Sequence, residues 1–192
     1  MPEAPAVPTP AALPLRLEGA RLATKTLVVA LGTLVLAASS WIEVPMVPVP
    51  MTMQTYAVLL VGALCGWRLA LATVLAWLGE AMVGLPVLAG GAGGLAHFAG
   101  PTGGYLVSFP LAAALVGLLA ERGWTKRVLP AFAVMLAGHG VIFALGVSWL
   151  ATRIGLAQAI AFGLTPFLLG TVLKSALAVA TLRVVPHGRR AR

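Results

Sequence analysis

The chain has no aspartate, a single cysteine and few charges of any kind. Its acids are Glu3, Glu18, Glu43, Glu80 and Glu121, and charged residues make up 9 % of 192 positions. Soluble domains carry roughly 25 %, so a solvated globule is excluded. There is no aspartate pair, no His-Glu-x-x-His and no Gly-x-Ser-x-Gly turn, and this argues against a membrane enzyme. No Gly-Lys-Ser/Thr phosphate loop is present, so the chain is not expected to hydrolyse ATP itself. Cys65 alone can form no intrachain disulfide and no cysteine metal cluster; it reads as a small apolar packing residue. His97 and His139 stand alone in apolar surroundings, with no further metal ligands at useful spacing. Both read as packing residues, and neither a metal nor a cofactor is expected.

What is abundant is apolar surface. Hydrophobic residues make up 60 % of the chain, and the mean hydropathy is +1.00. Several apolar runs occupy most of the length, which a single secretory signal does not explain. The expected fold class is an all-α integral membrane protein: six transmembrane helices in one bundle, with an ordered Gly-rich outward-facing loop. Residues 1–20, rich in Pro and Ala, read as a flexible cytosolic tail, 21–185 as the membrane substrate-binding domain and 186–192 as a basic cytosolic tail. The spans are placed at about 22–42, 53–65, 69–83, 104–120, 128–150 and 166–184. Pro166 opens the last, a position where proline is favoured.

The net charge of +8 could suggest nucleic acid. However, the basic residues lie at the edges of the apolar runs, where they orient membrane helices. One side collects Arg16, Arg21, Lys25, Arg68, Arg122, Lys126, Arg127, Arg183, Arg189, Arg190 and Arg192, against Arg153 on the other. The positive-inside rule then puts both termini in the cytoplasm. The expected partner is a lipid bilayer, not a nucleic acid.

The second run is too short to cross the hydrocarbon core, since a helix rises about 1.5 Å per residue and the core is ~30 Å thick. It follows "VPMVPVPMT" (44–52), whose prolines forbid regular helix. A second non-helical stretch, "LPVLAGGAGGLAHFAGPTGGY" (85–105), has seven glycines, two prolines and no charged residue. Non-helical backbone at membrane depth survives only inside protein or beside a water-filled cavity. Both segments, together with a loop around Arg153, are therefore expected to face outward, the first two folding over one cavity.

Several residues can carry recognition there. Glycine admits close backbone approach, which singles out Gly94, Gly103 and Gly104. In "GPTGGY", Thr102 can cap a helix whose free amides at Gly103, Gly104 and Tyr105 would attract a carboxylate; an ordinary N-cap is the alternative. Lys174 lies mid-span and needs a partner unless it snorkels to the interface. Glu80, near the outer end of the third run, is either a site residue or exposed at the rim. Gln54, below the Pro-rich segment, can donate and accept, or cap its helix locally. On the first helix, Ala23, Thr26, Ala30, Thr33, Ala37 and Ser40 form a stripe of small residues at intervals of three and four. Such a stripe lets another helix approach closely, inside the bundle or from another subunit.

"PVPMTMQTYAVLLVGALCGWR", "GLPVLAGGAGG" and "GPTGGYLVSF" resemble the signature of the BioY family, the biotin-binding S components of energy-coupling factor (ECF) transporters. The resemblance covers about 42–122, with a weaker continuation at "PFLLGTVLKSALA" (166–178). It implies a six-helix protein that captures biotin from outside, without converting it, and docks on a transmembrane coupling subunit with two cytosolic ATPase subunits. The alternatives are an S component for another vitamin and a self-sufficient biotin transporter. Family members use small residues of the first helix for docking, which Ala30, Thr33 and Ala37 match. The family usually reads Gly-Asp-x-x-Lys in its last helix; here "GTVLK" keeps Gly170 and Lys174 and puts Thr171 at the acid. Gln54, Thr171 and Lys174 become the expected polar contacts, and Glu80 or the ligand's own polar group the candidate partner of Lys174.

Overall fold

The computed structural model describes Leu15, Leu17 and residues 19–185. The expected tails at 1–20 and 186–192 otherwise lie outside the described residues. Among those described there are eight α-helices: α1 (Leu22–Trp41), α2 (Gln54–Cys65), α3 (Trp67–Met82), α4 (Ala96–Ala99), α5 (Gly103–Glu121), α6 (Val128–Ile154), α7 (Leu156–Gly163) and α8 (Phe167–Val184). Four of them, α1, α5, α6 and α8, are long and apolar enough to cross a membrane. The second and third expected spans form as the shorter helices α2 and α3, of 12 and 16 residues.

The fold is not wholly helical. Two-residue strands β1 (Glu43–Val44) and β2 (Met51–Thr52) pair antiparallel, with Glu43 opposite Thr52. Prolines 45, 48 and 50 exclude helix between them, and the ladder closes the Pro-rich segment into a hairpin. A second departure follows α6. The expected loop around Arg153 is instead the last turn of α6, and α7 packs back on that helix. An eight-residue apolar helix is too short to stand out from a loop by periodicity alone.

The helix α5 is central and packs against α2, α3 and α6. Gly66, at φ +77°, turns the chain from α2 directly into α3. Glu121 at the end of α5 closes this corner: its Oε1 accepts from the Trp67 amide at 3.1 Å. A carboxylate on the first amide of a helix also complements the helix dipole. Nearby, Arg183 donates to the carbonyls of Thr125 and Lys126 at 2.7 and 2.8 Å. The Leu15 amide reaches the Leu64 carbonyl at 3.4 Å. One end of the bundle thus gathers the start of α1, the α2–α3 corner, the α5–α6 connection and the end of α8, and with them most of the described basic residues.

Candidate functional site

At the opposite end lies a cavity of about 320 Å³, within the range of about 300–1,000 Å³ usual for small-molecule sites. The Pro-rich hairpin (Pro48, Val49, Pro50) and the glycine segment (Leu88, Ala89, Ala92) both border it. Its apolar wall includes Phe109, Ile142, Phe143 and Phe167. Phe143 stands between His139 and Phe167, with ring centroids 6.5 and 6.3 Å away. A wall of this kind suits an apolar ring, and the few polar groups set its orientation.

Three tryptophans from three helices tie down the glycine segment. Trp41 of α1 donates to the Pro86 carbonyl at 3.1 Å, Trp77 of α3 to Val87 at 3.0 Å and Trp149 of α6 to Gly100 at 2.8 Å. The segment bonds to itself where the Leu88 amide donates to the Ala92 carbonyl at 3.0 Å, and to α3 where the Gly94 amide donates to the Ala81 carbonyl at 2.7 Å. It contains a short 3-10 turn, Ala89–Gly91, and the single turn of α4.

Of the residues singled out in the sequence, Gln54, Thr102, Tyr105, Thr171 and Lys174 border the cavity. Gln54 is buried and its Nε2 donates to Ser40 Oγ at 2.8 Å, tying α2 to α1. Tyr105 donates its hydroxyl proton to the Gly163 carbonyl at 2.9 Å, holding α7 against α5. Thr102 stands at the N-cap of α5 but its side chain makes no capping bond. Lys174 is half-buried. Its Nζ donates to the Thr52 carbonyl at 2.6 Å and lies 3.4 Å from Thr55 Oγ1. The partner of Lys174 is therefore the end of the Pro-rich hairpin and the first turn of α2, and not Glu80.

The remaining candidates lie elsewhere. Glu80 is half-buried on α3 and is not among the cavity-lining residues. Neither are Gly94, Gly103 and Gly104. A side chain at Gly103 would strike the Phe98 carbonyl, and one at Gly104 would strike Trp149. These two glycines thus serve close packing of α5 on α4 and α6. The Gly103 amide is also spent, on the Gly100 carbonyl at 3.1 Å. On α1, Ala30 is exposed, Ala37 half-buried and Thr33 buried, its hydroxyl donating to Ala30's carbonyl at 3.0 Å.

His97 and His139 both border the cavity, which the sequence reading did not anticipate. His97 is exposed on α4, whereas His139 is 2 % exposed. Its Nδ1 lies 3.0 Å from the Met135 carbonyl and 3.3 Å from Ser175 Oγ on α8. An isolated histidine in an apolar run carries no local sign of what faces it across the bundle.

The chain matches the BioY family model over residues 11–190. It is 39 % identical over 155 residues to the biotin transporter BioY of Rhizobium etli, covering 77 % of this chain and 83 % of that one. It is 32 % identical over 180 residues to the biotin transporter BioY2 of Lactococcus lactis, covering 89 % and 96 %. Its fold is similar to the crystal structure of the S-component for biotin from an ECF-type ABC transporter. The TM-score is 0.72 at 26 % identity, over 84 % of this chain and 89 % of that one.

Proposed function

The chain belongs to the BioY family, and from that membership we propose that it is the membrane subunit that captures biotin for uptake. One observation carries the reading: a mostly apolar cavity with few polar groups lies beneath two non-helical segments, at the end away from most of the described basic residues. Biotin has a polar ureido head, an apolar bicyclic ring and a carboxylate tail. The phenylalanine wall matches the ring. Lys174 has three donor protons, and two neighbours engage it; the third serves an acceptor on the ligand. The N-terminus of α5, where Thr102 and Tyr105 meet the cavity, suits the carboxylate through its positive dipole end.

In the membrane, α2 and α3 act as two short spans beside the four long ones, giving six crossings with both termini cytoplasmic. The cavity then opens outward, with residues 21–185 as the substrate-binding domain and 1–20 and 186–192 as cytosolic tails. Delivery inward requires a transmembrane coupling subunit and two ATPase subunits. The exposed part of the small-residue stripe, around Ala30 and beside the exposed Leu27, Leu31 and Leu34, is the docking face. Titration calorimetry of the purified protein against biotin and a panel of other vitamins tests the reading. Tight binding of another vitamin with no binding of biotin overturns it.

A further inference from the structure

The basic end of the bundle carries a second pocket, of about 360 Å³, at the connection from α5 to α6. Arg122, Lys126 and Arg127 border it together with Trp124 and Pro130, and all three cations are exposed. Among the described residues, no acid borders it. Glu121, the neighbouring acid in the sequence, is turned to the Trp67 amide. Keeping basic residues on one side of a membrane orients the helices, but orientation does not require them to share a concave site. We propose that this pocket binds the phosphate headgroup of an anionic phospholipid. The inference is independent of the biotin reading.

The connection is held in place by its own backbone and by α8. Gly123, at φ +84°, turns the chain. Its amide donates to the Ala120 carbonyl at 2.8 Å, and the Lys126 amide donates to the Gly123 carbonyl at 3.1 Å. Arg183 reaches over from α8 and occupies the carbonyls of Thr125 and Lys126. That clamp also neutralises two oxygens on the connection that would otherwise repel an anion. The planar guanidinium forks of Arg122 and Arg127 can each engage two phosphate oxygens, and the Lys126 ammonium adds a compact charge. The lipid source follows from what flanks the cations. Trp124, Val128 and Leu129 are 52, 57 and 80 % exposed, and α6 runs on from them as a helix long and apolar enough to cross a membrane. An indole, with its apolar body and its N–H, suits the membrane–water interface. A free phosphate or an acidic protein surface would use the cations alone, whereas acyl chains also cover the apolar side chains beside them. Basic pockets between membrane helices at this level suit anionic headgroups for the same reason.

The test titrates the full chain, delipidated in a neutral detergent, with phosphatidylglycerol and with phosphatidylcholine, and counts bound lipid by native mass spectrometry. The wild type is expected to retain phosphatidylglycerol in preference to phosphatidylcholine. Arg122→Gln/Lys126→Gln/Arg127→Gln should remove that preference, at about fivefold in affinity for each charge lost. Removing three charges elsewhere at the same end, in Arg21→Gln/Lys25→Gln/Arg68→Gln, should leave it intact. Excess inorganic phosphate should not displace the lipid. Equal retention of the two lipids by the wild type overturns the proposal. So does an equal loss in both triple variants, which reduces the effect to the general field of the basic end. Displacement by inorganic phosphate assigns the pocket to a soluble anion. A pocket variant that keeps the lipid preference but no longer copurifies with the coupling subunit and ATPases assigns it to a protein, and either result overturns the lipid assignment. Should the pocket variant fail to fold, Lys126→Gln alone decides, because it keeps the backbone carbonyl that Arg183 holds. A loss of about fivefold for phosphatidylglycerol is then expected, and an unchanged affinity overturns the proposal.

Discussion

Lys174 holds the polar end of the cavity by reaching across to another element. Its ammonium bonds the Thr52 carbonyl, at the end of the Pro-rich hairpin, and touches Thr55 on α2. We expect Lys174→Met to fold and to bind biotin about tenfold to hundredfold more weakly, because a hydrogen bond to a charged group contributes about 1.5–3 kcal/mol. Wild-type affinity by calorimetry means that the lysine only staples the hairpin. Gly104 is a different case, since it faces the Trp149 side chain and not the cavity. Added bulk there overpacks the α5–α6 contact, and such overpacking costs about 1–3 kcal/mol. Gly104→Val is therefore expected to lower the melting temperature. An unchanged melting temperature with weakened binding places Gly104 at the ligand.

At the scale of elements, the glycine segment is a pinned cover. Its composition denies it a regular helix, and three indole N–H groups from α1, α3 and α6 hold its carbonyls. Trp149→Phe deletes the contact with Gly100 at a net cost of about 0.5–1.5 kcal/mol. We expect faster amide exchange between residues 85 and 105, with little change in α8. Uniform exchange throughout the protein would show that this indole supports the whole bundle instead. The helix α1 divides along its length. Thr33 is buried, and a side chain at Gly32 would meet Thr73 of α3, whereas Ala30 faces outward. Ala30→Leu is expected to spare biotin binding and weaken copurification with the coupling subunit and ATPases. Thr33→Leu should instead lower the melting temperature.

For the whole molecule, the separation of basic end and cavity gives a sidedness that labelling can read. In a Cys65→Ser background, Leu95→Cys lies on the glycine segment and Trp124→Cys on the α5–α6 connection, and both native side chains are exposed. An impermeant thiol reagent added to intact cells is expected to label the first and not the second. The reverse pattern inverts the proposed orientation. Ligand binding should also appear as global stability. At a free concentration 100 times its dissociation constant, a ligand that binds only the folded state adds about 2.7 kcal/mol, which a thermal melt with and without biotin detects.

The apolar runs by themselves determined where α1, α2, α3, α5, α6 and α8 lie, because burial in lipid or bundle demands long uncharged segments. The prolines of 44–52 determined that no helix forms there, through local backbone sterics. The motifs "GPTGGY" and "GTVLK" were also legible in one dimension, and they brought Thr102, Tyr105, Thr171 and Lys174 to the cavity. Only the tertiary structure decided which polar atoms face one another. Lys174 finds Thr52, 122 positions away, and the Trp149 indole finds Gly100 at a separation of 49. His139 Nδ1 meets the Met135 carbonyl on its own helix and Ser175 on α8, while its Nε2 is left without a hydrogen-bond partner. Such roles depend on distances across the bundle of a few ångströms, and a hydrogen bond forms only when donor and acceptor meet within that reach. Sequence patterns report the period of an element and the cost of burying a group; the group that answers it is chosen by how the helices pack.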